Sequence, residues 1–195
     1  MHKFQFSKPN AAGTDYILAA PGPTGGGTWR YIGVLFASGQ PITTAPSVTP
    51  ACDRHGWIVS FGTGKLNESN DYADTSARGF YSIVDKNGSS ALTVAGTSLT
   101  NIPFTATTVG SRVARNWTTP TLSSTSRGWK MAFTGGERIL GNSTMPPDTG
   151  SVLFATTKPS GDICAPGNTG FIMAVNMCSG ASGDLIVGAD AAGGW

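Results

Sequence analysis

Apolar, β-branched and aromatic residues fall in short runs along this chain, cut apart by clusters of Gly, Pro, Asn, Asp and Ser, and no extended stretch keeps a helical period. The pattern predicts an all-β chain. Candidate strands cover residues 3–6, 16–19, 29–37, 42–48, 56–61, 79–85, 91–95, 111–115, 128–133, 137–143, 151–157, 170–176 and 184–188. The breaks have their own chemistry. Asn87-Gly88 is a dipeptide that tolerates positive φ in a tight turn, and Gly25-Gly26-Gly27 would weaken any strand that contained it. Pro21, Pro23, Pro146, Pro147 and Pro166 lie between runs, where a missing N–H interrupts no ladder.

Two segments share an order of elements although their residues differ. The first reads PITTAPSV, GWIVSFGTGK and RGFYSIVDKNG; the second reads ERILGNST, GSVLFATTKPSG and TGFIMAVNMCSG. A fourth strand would complete each, RGWKMAF in the first and DLIVGAD in the second. This is the plan of a four-stranded propeller blade, with units at about 40–133 and 137–190 and variable insertions at about 11–28 and 88–126. The predicted fold is a partial β-propeller of two to three four-stranded antiparallel blades with long loop insertions, one domain over 1–195 or a fragment of a larger ring. A β-sandwich or β-solenoid also fits evenly spaced strands. Blades bury their faces against neighbours, so a few alone are expected to need partners.

Composition narrows the functions. The 195 residues include 27 Gly and 12 Pro, with 12% charged and 39% hydrophobic residues, so the chain is rich in turns yet able to bury a core. A net charge of +2 from scattered Lys and Arg neutralises no row of phosphates, which argues against nucleic acid. No apolar run is long enough for a transmembrane helix, and MHKFQFSKPN lacks the apolar core of a signal peptide, so any export signal is expected upstream. Cys52, Cys164 and Cys178 are an odd number. Cys164 could bridge Cys178, or all three could be separate small buried residues.

Candidate chemistry is sparse. Asn70, Asp71 and Asp74 form the one close acidic group on a loop, and the two carboxylates are weak candidates for a calcium site; the same side chains also suit capping of their own turn. FGTGK at 61–65 lacks the spacing of a phosphate loop, so Gly62 and Gly64 read as a tight strand exit. Two histidines, His2 and His55, with no G-x-S-x-G elbow, give no nucleophilic site, and neither Glu68 nor Glu137 forms an evident catalytic pair. Cysteine and histidine spacings do not make a zinc site. No catalytic residue and no cofactor are expected. Asp85 and Asn176 end the third strand of each unit and suit capping the turn to the fourth. Trp57, Trp129, Phe80 and Phe171 near strand starts read as packing between blades rather than a sugar platform.

Taken together, QPITTAPSV (40–48), WIVSFGTGKL (57–66) with FYSIVDK (80–86), RGWKMAFTGGERI (127–139) and VLFATTKPSGDICAPGNTGFIMAVN (152–176) resemble the C-terminal propeller of PilY1/PilC-type proteins, as does KFQFSKP at the start. Cys164, Pro166 and Gly167 sit in the matching T-x-x-P-S-x-D-x-C-x-P-G loop. The resemblance implies a non-enzymatic role in type IV pilus biogenesis and adhesion. It implies minor pilins and a host or abiotic surface as partners, at the pilus tip or cell surface outside the cell. The family's Asp-rich calcium loop has no counterpart in this sequence, so calcium is expected elsewhere in the full-length protein. Two alternatives come from other classes: a quinoprotein-like propeller enzyme fragment, which would need recurrent Trp docking positions, and a carbohydrate-binding module using Trp29 or Trp117.

Overall fold

The short apolar runs pair as strands. The computed structural model describes residues 2–9, 16–18, 28–53, 56–86, 93–110, 112–160 and 168–183. Along them run β1 (His2–Pro9), β2 (Tyr16–Leu18), β3 (Thr28–Val34), β4 (Ser47–Pro50), β5 (Trp57–Gly62), β6 (Arg78–Asp85), β7 (Thr100–Asn101), β8 (Thr105–Val109), β9 (Arg112–Asn116), β10 (Gly128–Phe133), β11 (Ser151–Ala155) and β12 (Ile172–Asn176). Two single turns of 3-10 helix cover Ser69–Tyr72 and Gly96–Ser98. The strands form four sheets, ordered β2-β1-β3, β4-β5-β6-β10-β7, β8-β9 and β11-β12. Among the described strands, the pairings are antiparallel except for the short β10–β7 pairing.

The central sheet is covered on both sides, which is why β5 and β6 read as continuous apolar runs rather than alternating ones. Phe80, Trp129, Met131 and Phe133 face one way and join Ile139, Val152, Phe154, Met173 and Val175 from the segment that follows. Phe80 stacks on Phe154 with centroids 3.8 Å apart, so one aromatic pair spans the two sheets. Val59, Phe61, Tyr81 and Ile83 face the other way, against Leu35, Phe36, Val94 and Leu99. The result is an all-β, layered partial propeller.

Several elements differ from the sequence expectation. The strand expected at 42–48 is shifted to Ser47–Pro50, and Ile42 makes only a single parallel bridge to Gly64. The one expected at 137–143 is reduced to an isolated bridge of Arg138 to Thr157, with a second just past its end from Thr144 to Leu153, while the Ile139 N–H turns to Thr63 C=O. The insertion at 88–126 is more than loop: it contributes β7, the β8–β9 hairpin, and buried Val94, Leu99 and Ile102. Residues 93–95 form no strand. Cys164, Pro166, Gly167, His55, the Asn87-Gly88 turn and the expected strand at 184–188 lie outside the described residues.

Candidate functional site

Three polar constellations and one groove stand out, all where the central sheet meets the β11–β12 sheet or the loops that flank it. The first organises the loop after β5. Asp71 is buried, and its Oδ2 accepts the N–H groups of Asn67 at 2.8 Å and Glu68 at 3.0 Å, while Oδ1 faces Lys65 Nζ at 3.1 Å. These interactions, the Asn67 N–H foremost, hold the Asp71 carboxyl below its ordinary range, and the Lys65 ammonium is raised in return. Asp74 accepts the Ser76 N–H at 2.8 Å and pairs with Arg78 at 2.5 Å, and Ser76 above all holds it low as well. Both weak metal candidates therefore direct their carboxylates at donors of their own loop. Among the described residues, no three His, Cys, Asp or Glu side chains gather as a metal site.

Arg138 locks that loop from outside. It is 1% exposed, and burial lowers its pKa, yet each arm of the guanidinium finds a carbonyl. Nε donates to Gly136 at 2.8 Å, Nη1 to Lys65 and Asp71 at 2.8 Å each, and Nη2 to Asp74 at 2.5 Å. A planar fork suits this task where a lysine would not.

Gly62 and Gly64 serve the same joint. A Cβ on Gly62 would fall 2.3 Å from Ile139 Cβ, and one on Gly64 2.8 Å from Arg138 Cβ. Their lack of side chains admits the 138–139 segment, whose Ile139 N–H donates to Thr63 C=O at 3.0 Å. Read as a strand exit in sequence, the pair is a site of close approach in space.

The second constellation anchors the β8–β9 hairpin. Arg115 makes a bidentate ion pair with Glu137, Nη1 to Oε1 at 2.7 Å and Nη2 to Oε2. Its guanidinium lies 4.0 Å from the Phe171 ring centroid and 4.4 Å from that of Phe104. Sequence reading missed this pair, because Arg115 lies in a segment without a motif; the charged Glu137-Arg138 opening an apolar run was the one available hint.

The third sits at the turn after β12. Asn176 Oδ1 accepts the N–H groups of Cys178 and Ser179 at 3.0 Å, which shapes the turn. Asp85, its counterpart at the end of β6, is buried opposite Trp57. Met177 C=O receives the Trp129 indole N–H at 3.1 Å and the Ser82 hydroxyl at 3.3 Å, so the turn docks on the central sheet. Cys178 is bonded to Cys52 with Cα atoms 6.1 Å apart. Neither of the two readings of the cysteines, a Cys164–Cys178 bridge or three separate residues, holds: the turn after β4 brings Cys52, 126 residues away in sequence, within disulfide reach.

The aromatic set divides by position. Trp129 and Phe80 are wholly buried and Phe171 packs on the same core, whereas Trp57 is 46% exposed. Beside Phe171, a groove of about 440 Å³ runs between β9 and β12, lined by Val113, Arg115, Trp117, Ile172 and Ser182 among others. These arrangements join, brace and present; none of them sets a base beside a nucleophile.

Residues 25–111 match the family described as PilY1 beta-propeller domain. The crystal structure of the Pseudomonas aeruginosa PilY1 C-terminal domain is similar to this chain, with a TM-score of 0.57 and 25% identity, over 84% of this chain and 34% of that one. The chain therefore spans about a third of the length of the domain it resembles, 34%. No curated protein matches it.

Proposed function

We propose that this chain, similar over residues 25–111 to the PilY1 beta-propeller family, is a non-enzymatic part of a type IV pilus biogenesis and adhesion factor, a propeller scaffold for surface attachment and minor-pilin association. The observation that carries this reading is the family match over 25–111, reinforced by a structural similarity that extends over 84% of the chain. In this reading the units at 40–133 and 137–190 are blades of a larger ring. Their polar constellations are braces, and the β8–β9 hairpin and loops form the surface offered to partners. Calcium, if the full-length protein uses it, binds outside this chain.

The place of action is the pilus tip or bacterial surface. The Cys52–Cys178 bridge supports an oxidising, exported setting, because glutathione and thioredoxin keep such thiols reduced in the cytosol. The reading is tested in the producing bacterium by replacing the gene with a copy lacking residues 40–183, with the level of exported protein followed by immunoblot. Surface piliation, attachment and co-purification of minor pilins are expected to fall while the truncated protein is still exported. Unchanged piliation and attachment would overturn it.

A further inference from the structure

Open strand edges invite pairing with other chains, and β4, β7, β11 and β12 each blunt theirs. Along the outside of β11, Thr144 and Leu153 exchange N–H···O=C bonds at 2.9 and 2.7 Å. On β4, Ala51 N–H donates to Gly56 C=O at 3.0 Å, so by alternation Pro50 takes an outward position and offers no N–H there. β7 is two residues long and runs into Pro103. Beside β12, Gly183 N–H donates to Ala174 C=O at 2.9 Å.

The β8–β9 hairpin carries no such device on β8. It is a sheet of two strands, and successive residues Thr105, Ala106, Thr107 and Thr108 are all exposed, so both of its faces are in water. A lone hairpin is marginal in water. This one is pinned at its base by the Arg115–Glu137 pair and by the Trp117 indole N–H, which donates to Gly180 C=O at 3.0 Å. Val109 pairs with Arg112 across only two residues, so that pair is hydrogen-bonded, and alternation gives Thr107–Ala114 and Thr105–Asn116 the same bonding. The main-chain N–H and C=O groups of Ala106 and Thr108 therefore point outward, and they meet no partner among the described residues. The other edge, along β9, faces the groove beside β12, so the β8 edge points away from β12.

We propose that β8 is a self-docking edge, through which two copies of this chain join their hairpins into one four-stranded sheet ordered β9-β8-β8-β9. The run Thr-Ala-Thr-Thr-Val is neutral and holds no Lys or Pro to discourage pairing. It is also complementary to itself, as a two-fold contact requires. Antiparallel pairing about an axis at Thr107 sets Ala106 opposite Thr108 of the second copy, and Thr108 opposite its Ala106, both as hydrogen-bonded pairs made from the outward groups. Thr107 then meets its own counterpart across the seam, a favourable cross-strand pair, and no charge faces a like charge. β9 does not suit this role, because its edge faces β12 and carries Arg115. The contact is small, so the association is weak and depends on concentration. The inference does not rest on the pilus reading.

Residue-resolved amide hydrogen exchange and sedimentation velocity on the intact protein, each over a wide range of concentration, test it. The Thr107 N–H, bonded to β9, should be protected throughout, while those of Ala106 and Thr108 should slow at least about tenfold as a dimer forms. Thr108→Pro deletes one outward N–H and leaves the β8–β9 ladder intact, so it should abolish the dimer with Thr107 still protected. If that variant loses its hairpin, Thr107→Lys decides: two ammonium groups then face each other across the axis, and the dimer should weaken at least about tenfold at low salt and recover as salt screens them. A dimer that ignores Thr107→Lys, or one that survives Thr108→Pro, overturns the proposal. So does a protein that stays monomeric, with Ala106 and Thr108 exchanging freely at every concentration. Protection of both at every dilution also overturns it and assigns the edge to a segment of the same chain; protection that requires an added protein assigns it to that protein's strand.

Discussion

At the scale of single residues, buried charge is spent on shape. Arg138 is held by four carbonyls, and Arg115 by one carboxylate and a set of aromatic rings. The Asp71 carboxylate closes a loop by accepting Asn67 and Glu68 N–H groups with Lys65 beside it. Its pKa and that of Asp74 are lowered in the folded chain, so the folded state binds protons less readily than the unfolded one. The stability they contribute is complete above the ordinary carboxylate pKa of about 4 and is lost as pH falls through the lower folded values. Denaturant midpoints measured from neutral to strongly acidic pH should drop in that acid window, and Asp71→Asn should make the drop shallower. An unchanged pH profile in the variant would contradict the role given to Asp71. The acidic loop was visible in sequence, but metal binding and turn capping use the same oxygens, and only the positions of the N–H donors separate them.

At the scale of elements, the joint between the central sheet and the following segment depends on two absent side chains. Gly62→Ala would drive a methyl into Ile139, which is 1% exposed and has no room to retreat. Overpacking of this kind costs about 1–3 kcal/mol. Equilibrium unfolding should show that loss for Gly62→Ala and almost none for Gly141→Ala, where a new Cβ meets nothing within 4 Å. Equal effects would refute the close-approach argument. Strands such as β5, β6, β10 and β12 were legible because β-branched and aromatic runs between turn residues leave few other options. The first strands expected for each unit were not: the 42–48 run pairs late, and the 137–143 run divides its backbone hydrogen bonds between Thr157 and Thr63.

At the scale of the whole molecule, the Cys52–Cys178 bridge ties the turn after β4 to the turn after β12 across 126 residues. In the loop-entropy account, closing a chain of that length stabilises by roughly 4–5 kcal/mol, with measured values for lost bridges typically about 2–5 kcal/mol. Unfolding in the presence of a reductant, or of Cys52→Ser under oxidising conditions, should show a loss in that range. No difference would mean that the docking of Met177 by Trp129 and Ser82 already holds the turn. The sequence by itself determined the all-β class, since it rests on local periodicity and turn chemistry, and its motifs carried the likeness to PilY1-type propellers. Tertiary structure alone decided which cysteine meets Cys178, why Gly62 and Gly64 are small, that Val94, Leu99 and Ile102 enter the cores, and where Arg115 and Arg138 find partners. Each of those is a contact between residues far apart in the chain, and local pattern carries no information about which distant surfaces will be brought together.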